Sequence, residues 1–160
     1  MDSAHLVRIC AEDFSIDEEN HRLRGDVGSA GALVNFTGHV RESKEAGQNL
    51  VAMELEHYPG MTENSIHDVI QRAALRWPFQ AATVIHRIGR LQLGEQIVFV
   101  GVASPHRQEA FDACAFIMDF LKTEAPFWKK EHFQAGACRW VDARQSDTIA
   151  LAKWGVETGP

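Results

Sequence analysis

Two long stretches of the chain repeat apolar residues at the spacing of an amphipathic helix, and each must bury that apolar face against another element. The first stretch begins near Thr62 and ends before Pro78, and the second follows Ser104-Pro105 and ends before Pro126. Thr62 and Ser104 can cap these helices, and Pro105 fits the first helical position. The predicted buried faces are Ile66, Val69, Ile70, Ala73, Ala74 and Trp77 in the first helix and Ala110, Phe111, Cys114, Ile117, Met118 and Leu121 in the second.

Short apolar runs separate these helices and predict strands at residues 7–10, 31–40, 51–57, 83–88, 97–103, 128–133 and 138–141, with a polar loop over 41–49. A shorter helix is indicated where Ser15 and Glu18 form a capping box and Gly25 stops the helix. The order β-α-β-β-α-β-β-α-β-β predicts an α+β fold, with two long helices on a largely antiparallel sheet. The 160 residues are expected to form a single domain, residues 1–160.

The composition argues against several classes of protein. With 45% hydrophobic and 24% charged residues, the chain is expected to be neither disordered nor embedded in a membrane. A formal net charge of −6 argues against broad nucleic-acid binding, which needs a basic surface. Three separated cysteines and scattered histidines give no disulfide framework and no ligand pattern for a metal, so neither a metal nor a cofactor is expected. The first residues do not resemble a signal peptide, which predicts a cytoplasmic protein.

Residues 121–131 carry the most distinctive chemistry of the sequence. They contain Lys122, Lys129 and Lys130, a proline break, and the aromatic pair Phe127 and Trp128. Clustered ammonium groups repel each other and are costly to desolvate, so the cluster indicates an anion-binding pocket or a lysine whose neutral form is favoured. The alternative is a solvated helix end whose cations complement the helix dipole. The segment taken alone does not decide between them.

A second basic group lies at the other end of the same predicted helix. His106 and Arg107 fall in its first turn, where cations are disfavoured unless an anion binds, and Arg41 opens the polar loop. His106 and Lys122 are sixteen residues apart, which is about 24 Å along a helix. A small ligand cannot span that distance. Either there are two sites, or Lys122 of one protomer meets His106 and Arg107 of another in a symmetric dimer, which is the arrangement we favour.

Several longer motifs occur in a fixed order: FTGHVR at residues 36–41, LEHYPGMTE at 55–63, IHRIGRL at 85–91, SPHR at 104–107 with AF at 110–111, MDFLK at 118–122, and PFWKKE at 126–131. In these motifs the chain resembles the catalytic (large) subunit of molybdopterin synthase over nearly its whole length. The first thirty residues and the tail from 142 match that family loosely.

The resemblance implies a fold with a small, hammerhead-like β subdomain. It also implies a reaction in which a cyclic pyranopterin monophosphate is converted to molybdopterin by installing a dithiolene. Sulfur would come from a thiocarboxylate on the C-terminal Gly-Gly of a small ubiquitin-like carrier subunit. The implied assembly is a heterotetramer, in which a homodimer of this subunit binds one carrier at each end.

The resemblance also assigns the candidate site residues. Lys122 and Lys129 match the family's essential lysines, and the former would hold the thiocarboxylate while the latter would polarise the departing oxygen. The implied substrate-binding residues are His39, Val40, Arg41, His106, Arg107, Lys130 and Glu131. Phe36 and Met118 either line the pterin pocket or belong to the core. Two other functions stay open: a non-catalytic module that docks the carrier tail, and a cyclic phosphodiesterase.

Overall fold

The structure, a computed structural model, describes residues 4–26, 28–45, 47–141 and 150–155. In chain order the elements are β1 (His5–Cys10), α1 (Ile16–Arg24), β2 (Ala32–His39), β3 (Lys44–Glu45), β4 (Gln48–His57), α2 (Met61–Arg76), β5 (Ala81–Arg87), β6 (Gly89–Gln92), β7 (Gln96–Ser104), α3 (Arg107–Glu124), β8 (Phe127–Phe133) and β9 (Cys138–Val141). The predicted order of elements is confirmed, and two short strands, β3 and β6, are added to it.

The strands form two sheets. The first has the order β1-β5-β7-β2, in which β1 and β5 are parallel and the other neighbours are antiparallel. The second has the order β3-β4-β8-β9, with β6 also paired to β4, and is antiparallel throughout these pairs. The predicted α+β class is therefore confirmed: the sheets are mostly antiparallel, and α2 and α3 pack against the first of them. The second sheet has five strands and lies at the place of the expected β subdomain.

The main core lies between α2, α3 and the first sheet. Its largest buried side chains include Ile66 and Ile70 from α2, Val100 from β7, and Phe116 and Phe120 from α3. Fully burying such a side chain contributes about 1.5–3 kcal/mol. A second cluster lies under the second sheet and consists of Val40, Leu50, Leu55, Leu91 and Phe133.

The predicted helix faces are largely correct but wrong at two positions. Ala74 is exposed, and Phe111 is 58% exposed. On α3 the buried face extends instead to Phe116 and Phe120, which were not predicted. The difference arises because α3 is covered by α2 on one side and by the sheet on the other, which leaves the edge carrying Phe111 open.

Both predicted caps of the long helices are wrong. Gly60, with a φ of 85°, is the N-cap of α2, and its backbone N–H donates to the Glu63 carboxylate at 2.6 Å. Thr62 is fully buried instead: its hydroxyl accepts from the backbone N–H of Tyr58 at 3.0 Å and donates to the carbonyl of Pro126 at 2.9 Å. Thr62 therefore ties the start of α2 to the break between α3 and β8.

Ser104 likewise is not the N-cap: its hydroxyl makes a tertiary contact, and it also accepts from the backbone N–H of His106 at 3.4 Å. Ser104 is the buried last residue of β7, and its hydroxyl donates to the carbonyl of Pro78 at 3.1 Å. The N-cap of α3 is His106, whose side chain makes no capping hydrogen bond, and Pro105 stands before it rather than inside the helix. The capping prediction at Ser15 holds, because Ser15 Oγ accepts from the backbone N–H of Glu18 at 3.3 Å.

Two glycines explain the added strands. Gly47 (φ 76°) helps turn the predicted polar loop back so that β3 can pair with β4. Gly89 (φ 85°) directs the chain from β5 in the first sheet into β6, which pairs with β4 in the second. No described helix is long and apolar enough to cross a membrane.

Candidate functional site

The break between α3 and β8 holds the lysine segment. The α3 helix ends at Glu124, and Ala125 and Pro126 lead directly into β8. Lys122 lies in the last turn of α3 and is exposed, while Lys129 is the third residue of β8. The two predicted catalytic lysines therefore flank one short break, whose position is fixed by the Thr62 hydroxyl.

The side chains of β8 alternate between two environments, as in any strand. Glu131 and Phe133 are buried, which identifies the inner face, and Lys129 shares this face by its spacing of two. Lys130 lies on the outer face, where its Nζ is 5.5 Å from the centre of the Trp140 ring. The neighbouring lysines thus point to opposite sides of the sheet.

Glu131 has a structural partner on its own face. Arg139, directly opposite on β9, donates to Glu131 Oε1 at 3.2 Å. This ion pair joins β8 to β9 beside Lys129, so Glu131 helps to fix the strand that carries the lysine.

A buried imidazole lies behind the inner face of β8. His86 on β5 is 6% exposed, and its ring stacks on Phe127 with centroids 3.8 Å apart. Its Nδ1–H donates to the carbonyl of Arg87 at 2.8 Å. Burial, together with smaller contributions from the nearby charges of Lys129 and His57, lowers the pKa of His86 to about 4 despite the opposing hydrogen bond to Arg87. His86 is therefore neutral at physiological pH.

The other basic group lies at the start of α3. His106 and Arg107 are both exposed, and the first backbone N–H groups of the helix have no side-chain cap. The loop before them is held closely: Gly31 donates its N–H to the Ser104 carbonyl at 3.0 Å. A Cβ at Gly31 would lie 2.1 Å from the Pro105 carbonyl oxygen, so only glycine fits there. This end of α3 is open to an anion.

The end of β2 supplies the next candidates. His39 and Arg41 are exposed. The side chain of Val40 is 2% exposed and belongs to the second core cluster. Its backbone N–H donates to the Glu95 carbonyl at 2.9 Å, and its carbonyl accepts from Gly94 at 2.7 Å. Val40 thus holds its two neighbours in place from within the core.

Phe36 lies on β2 and Met118 on α3. Phe36 is 40% exposed, while Met118 is half-buried and packs on the main core. Cys114, four residues before Met118 on α3, is buried with its Sγ 3.5 Å from the Val100 carbonyl, and burial raises the pKa of its thiol to about 12. Cys114 is therefore an unreactive core residue, as the helical pattern predicts.

Several of these candidate cations lack side-chain partners in the part of the chain that the structure describes. Among the residues that the structure describes, Arg41, Arg107 and Lys122 make no hydrogen bond through their side chains and no ion pair. By contrast, Arg8, Arg22, Arg72, Arg87 and Arg139 all bind carboxylates. On a chain of net charge −6, unpaired cations at these positions favour an external anion.

The two basic groups do not meet within one chain. The α3 helix runs without interruption from Arg107 to Glu124. His106 and Lys122 therefore lie about 24 Å apart, as the sequence spacing predicts.

Comparison with known proteins decides the family. A profile described as MoaE protein matches residues 9–124. The molybdopterin synthase catalytic subunit of Vibrio cholerae serotype O1 is 51% identical over 150 residues, which are 94% of this chain and 98% of that relative. The chain belongs to the MoaE family. The resemblance noted in the sequence is thereby confirmed, and so is its activity class, that of the catalytic subunit of molybdopterin synthase, a sulfurtransferase.

Solved MoaE structures have the same fold. The molybdopterin biosynthesis MoaE protein from Burkholderia ambifaria MC40-6 matches with a TM-score of 0.80 and 48% identity, covering 96% of this chain and 99% of that chain. Molybdopterin synthase from Staphylococcus aureus matches with a TM-score of 0.77 and 30% identity, covering 84% of this chain and 96% of that chain.

The sequence does not predict the part played by His86, whose ring stacks on Phe127 of β8, the strand that carries Lys129. His86 lies in the IHRIGRL motif, and neither this motif nor its spacing predicts a role for the histidine. A histidine within a strongly apolar strand was the available signal, since a buried imidazole needs a hydrogen-bond partner.

Proposed function

We propose that this MoaE protein transfers sulfur from a thiocarboxylated carrier subunit to cyclic pyranopterin monophosphate and so forms the dithiolene of molybdopterin. The observation that carries the proposal is the pair of lysines at the break between α3 and β8, in a chain of this family. The anionic thiocarboxylate and the phosphate of the precursor both need cationic partners, and Arg41, Arg107 and Lys122 are exposed cations that can supply them.

In this proposal the two lysines have different tasks. Lys122, exposed in the last turn of α3, binds the thiocarboxylate of the carrier tail and exchanges protons with it. Lys129, on the inner face of β8, polarises the oxygen that leaves the pterin side chain. Lys130 points to the other face, so we assign it a peripheral role at the border of the site.

The phosphate of the precursor would be bound by the second basic group. We propose that Arg41, His106 and Arg107 form this anion site, with the arginines donating through two parallel hydrogen bonds. Because α3 separates His106 from Lys122 by about 24 Å, the site is completed by a second copy of the chain. β2 is an edge strand of the described sheet, and its outer edge together with the exposed Phe36 and Phe111 supports a homodimer surface there.

The partner in this proposal is a small ubiquitin-like carrier whose C-terminal Gly-Gly tail enters the site. The name of the V. cholerae relative, a catalytic subunit, supports an enzyme of more than one kind of subunit. With a dimer at the centre, one carrier at each end gives a heterotetramer. A cytoplasmic location fits the free thiols of Cys10, Cys114 and Cys138.

The test is a single-turnover assay of dithiolene formation with purified chain, precursor and thiocarboxylated carrier. We expect Lys122→Ala and Lys129→Ala to lower the rate by at least about 100-fold, because each removes a group acting on the reacting atoms. Lys44→Ala, an exposed lysine on β3, is the matched control and should keep its activity. Undiminished product from Lys122→Ala would refute the assignment.

The same assay separates the alternatives. A docking module predicts that Lys122→Ala weakens carrier binding but leaves the rate normal once the complex is saturated. A cyclic phosphodiesterase predicts turnover of the precursor in the absence of carrier.

The shared site has its own test. Chains carrying Lys122→Ala and chains carrying Arg107→Ala are each expected to be inactive, but a heterodimer of the two contains one intact site. Co-expression should therefore restore about a quarter of the wild-type activity, since half of the dimers are mixed and each has one working site. No recovery in verified heterodimers would mean that the site lies within one protomer.

A further inference from the structure

The last described residues of the chain return to the two long helices. In the segment 150–155, the Trp154 ring meets the rings of Trp77 and Phe116 edge-on, with centroids 5.5 and 5.4 Å away. Arg76 donates to the Trp154 carbonyl at 2.7 Å. The segment is thus anchored to both α2 and α3 by ring contacts and by a charge-assisted hydrogen bond.

The same segment binds the carboxylate of Asp119 on α3. The indole N–H of Trp154 donates to Asp119 Oδ2 at 2.8 Å, and Lys153 Nζ lies 3.3 Å from the same oxygen. The Asp119 side chain is 21% exposed and that of Lys153 is 55% exposed, so the indole hydrogen bond is the better shielded of the two contacts. It is stronger for that reason than an exposed hydrogen bond would be.

Asp119 is the residue with which Lys122 would otherwise pair. Side chains three or four positions apart face each other on a helix, and among those neighbours of Lys122 only position 119 is acidic. Glu124 is two positions away, does not face Lys122, and is bound by Arg72. Lys122 itself makes no ion pair or hydrogen bond among the residues described. Both nearby carboxylates are therefore engaged by other donors.

We propose that Trp154 and Lys153 are positioning residues for Lys122. By holding the Asp119 carboxylate they keep the Lys122 ammonium available to the anionic tail of the carrier. Without them, Asp119 would turn toward Lys122, pair with it, and repel an approaching thiocarboxylate. The consequence for the carrier rests on the proposed function, whereas the engagement of Asp119 is independent of it.

The first experiment measures the availability of Lys122 directly. In the Trp154→Phe/Lys153→Met variant, the ring and the aliphatic chain are kept but both donors to Asp119 are lost. The acetylation rate of Lys122 by an N-hydroxysuccinimide ester, followed by peptide mass spectrometry on the full chain, should fall about two- to fivefold, as expected for one partly exposed ion pair. In an Asp119→Asn background the same two substitutions should leave the rate unchanged.

The second experiment measures the dissociation constant of the carrier in its carboxylate form by calorimetry. We expect affinity for the double variant to be about two- to fivefold weaker, with recovery in the Asp119→Asn background. A loss of equal size in both backgrounds would show that Trp154 merely supports the fold, and an unchanged acetylation rate would overturn the inference outright. If acetylation responds as expected but Lys122→Ala binds carrier normally, the proposed function of Lys122 fails, and the link to the carrier fails with it.

Discussion

The buried imidazole of His86 makes the stability of the fold depend on pH. Burial lowers the pKa of His86 from 6.5 to about 4, and the charges of Lys129 and His57 act in the same direction. Between these two values the unfolded chain binds a proton that the folded chain excludes, so acid favours unfolding. The contribution of His86 to the free energy of unfolding is fully present above pH 6.5, the pKa in the unfolded chain. It falls as the pH drops from 6.5 to about 4 and stays constant at lower pH.

The size of the effect follows from the shift. Each pKa unit corresponds to about 1.4 kcal/mol, so a proton on His86 costs the folded state at most about 3 kcal/mol. At about pH 5 the loss is about 2 kcal/mol, a large share of a total stability of about 5–15 kcal/mol.

Urea unfolding followed by tryptophan fluorescence, at about pH 7.5 and about pH 5, measures this loss. His86→Asn is the control, because its amide can still donate to the Arg87 carbonyl but does not titrate. The wild type should lose about 2 kcal/mol more than the variant between the two pH values, since the titration of other groups is common to both. Equal losses would refute the reasoning, because His86 would then be protonated as easily in the folded state as in the unfolded state.

Two substitutions test the contacts that fix the ends of the site. Gly31→Ala places a Cβ against the Pro105 carbonyl, so the loop before α3 must move. We expect the free energy of unfolding in urea to fall by at least about 2 kcal/mol and the precursor to bind more weakly. Normal values for both would contradict the close approach of Gly31 to Pro105. Thr62→Val removes the hydroxyl that joins Tyr58 to Pro126, which should cost about 1–3 kcal/mol, whereas Thr62→Ser, which keeps the hydroxyl, should lose clearly less.

The positions of the long helices could be predicted because their periodicity is a local property. The α2 and α3 helices begin and end within a few residues of the predicted limits. Which edge of the α3 stripe is covered depends on the tertiary packing of α2 and the sheet, so the pattern wrongly predicts that Phe111 is buried and does not predict that Phe120 is. Periodicity predicts which way the apolar face of a helix points, but not how much of that face the neighbouring elements bury.

The caps show the limit of local reasoning more sharply. Thr62 and Ser104 both stand where a hydroxyl would cap a helix, yet each bonds to a distant carbonyl, 64 and 26 residues away in the chain. A hydroxyl serves either role equally well, and only the folded chain brings Pro126 and Pro78 within reach. The sequence therefore showed that these residues matter to the helix ends without showing how.

The candidate site also contains some residues that a local pattern predicts and others that it does not. Lys122 and Lys129 stood out because the lysine cluster is contiguous in the chain, and the resemblance separated them from Lys130. The supporting contacts of His86 and Asp119 join segments far apart in sequence, so no local pattern indicated them.

The opposite directions of Lys129 and Lys130 have a consequence for how this segment can change in length. Deleting Trp128 would shift every following residue of β8 by one position, so Lys130 would take the inner place and Lys129 the outer one. The same deletion would turn Phe133 out of the second core cluster. Insertions or deletions between Pro126 and the end of β8 should therefore be tolerated only in steps of two. We therefore expect the number of residues in this stretch to tolerate change less well than the residue types at its positions.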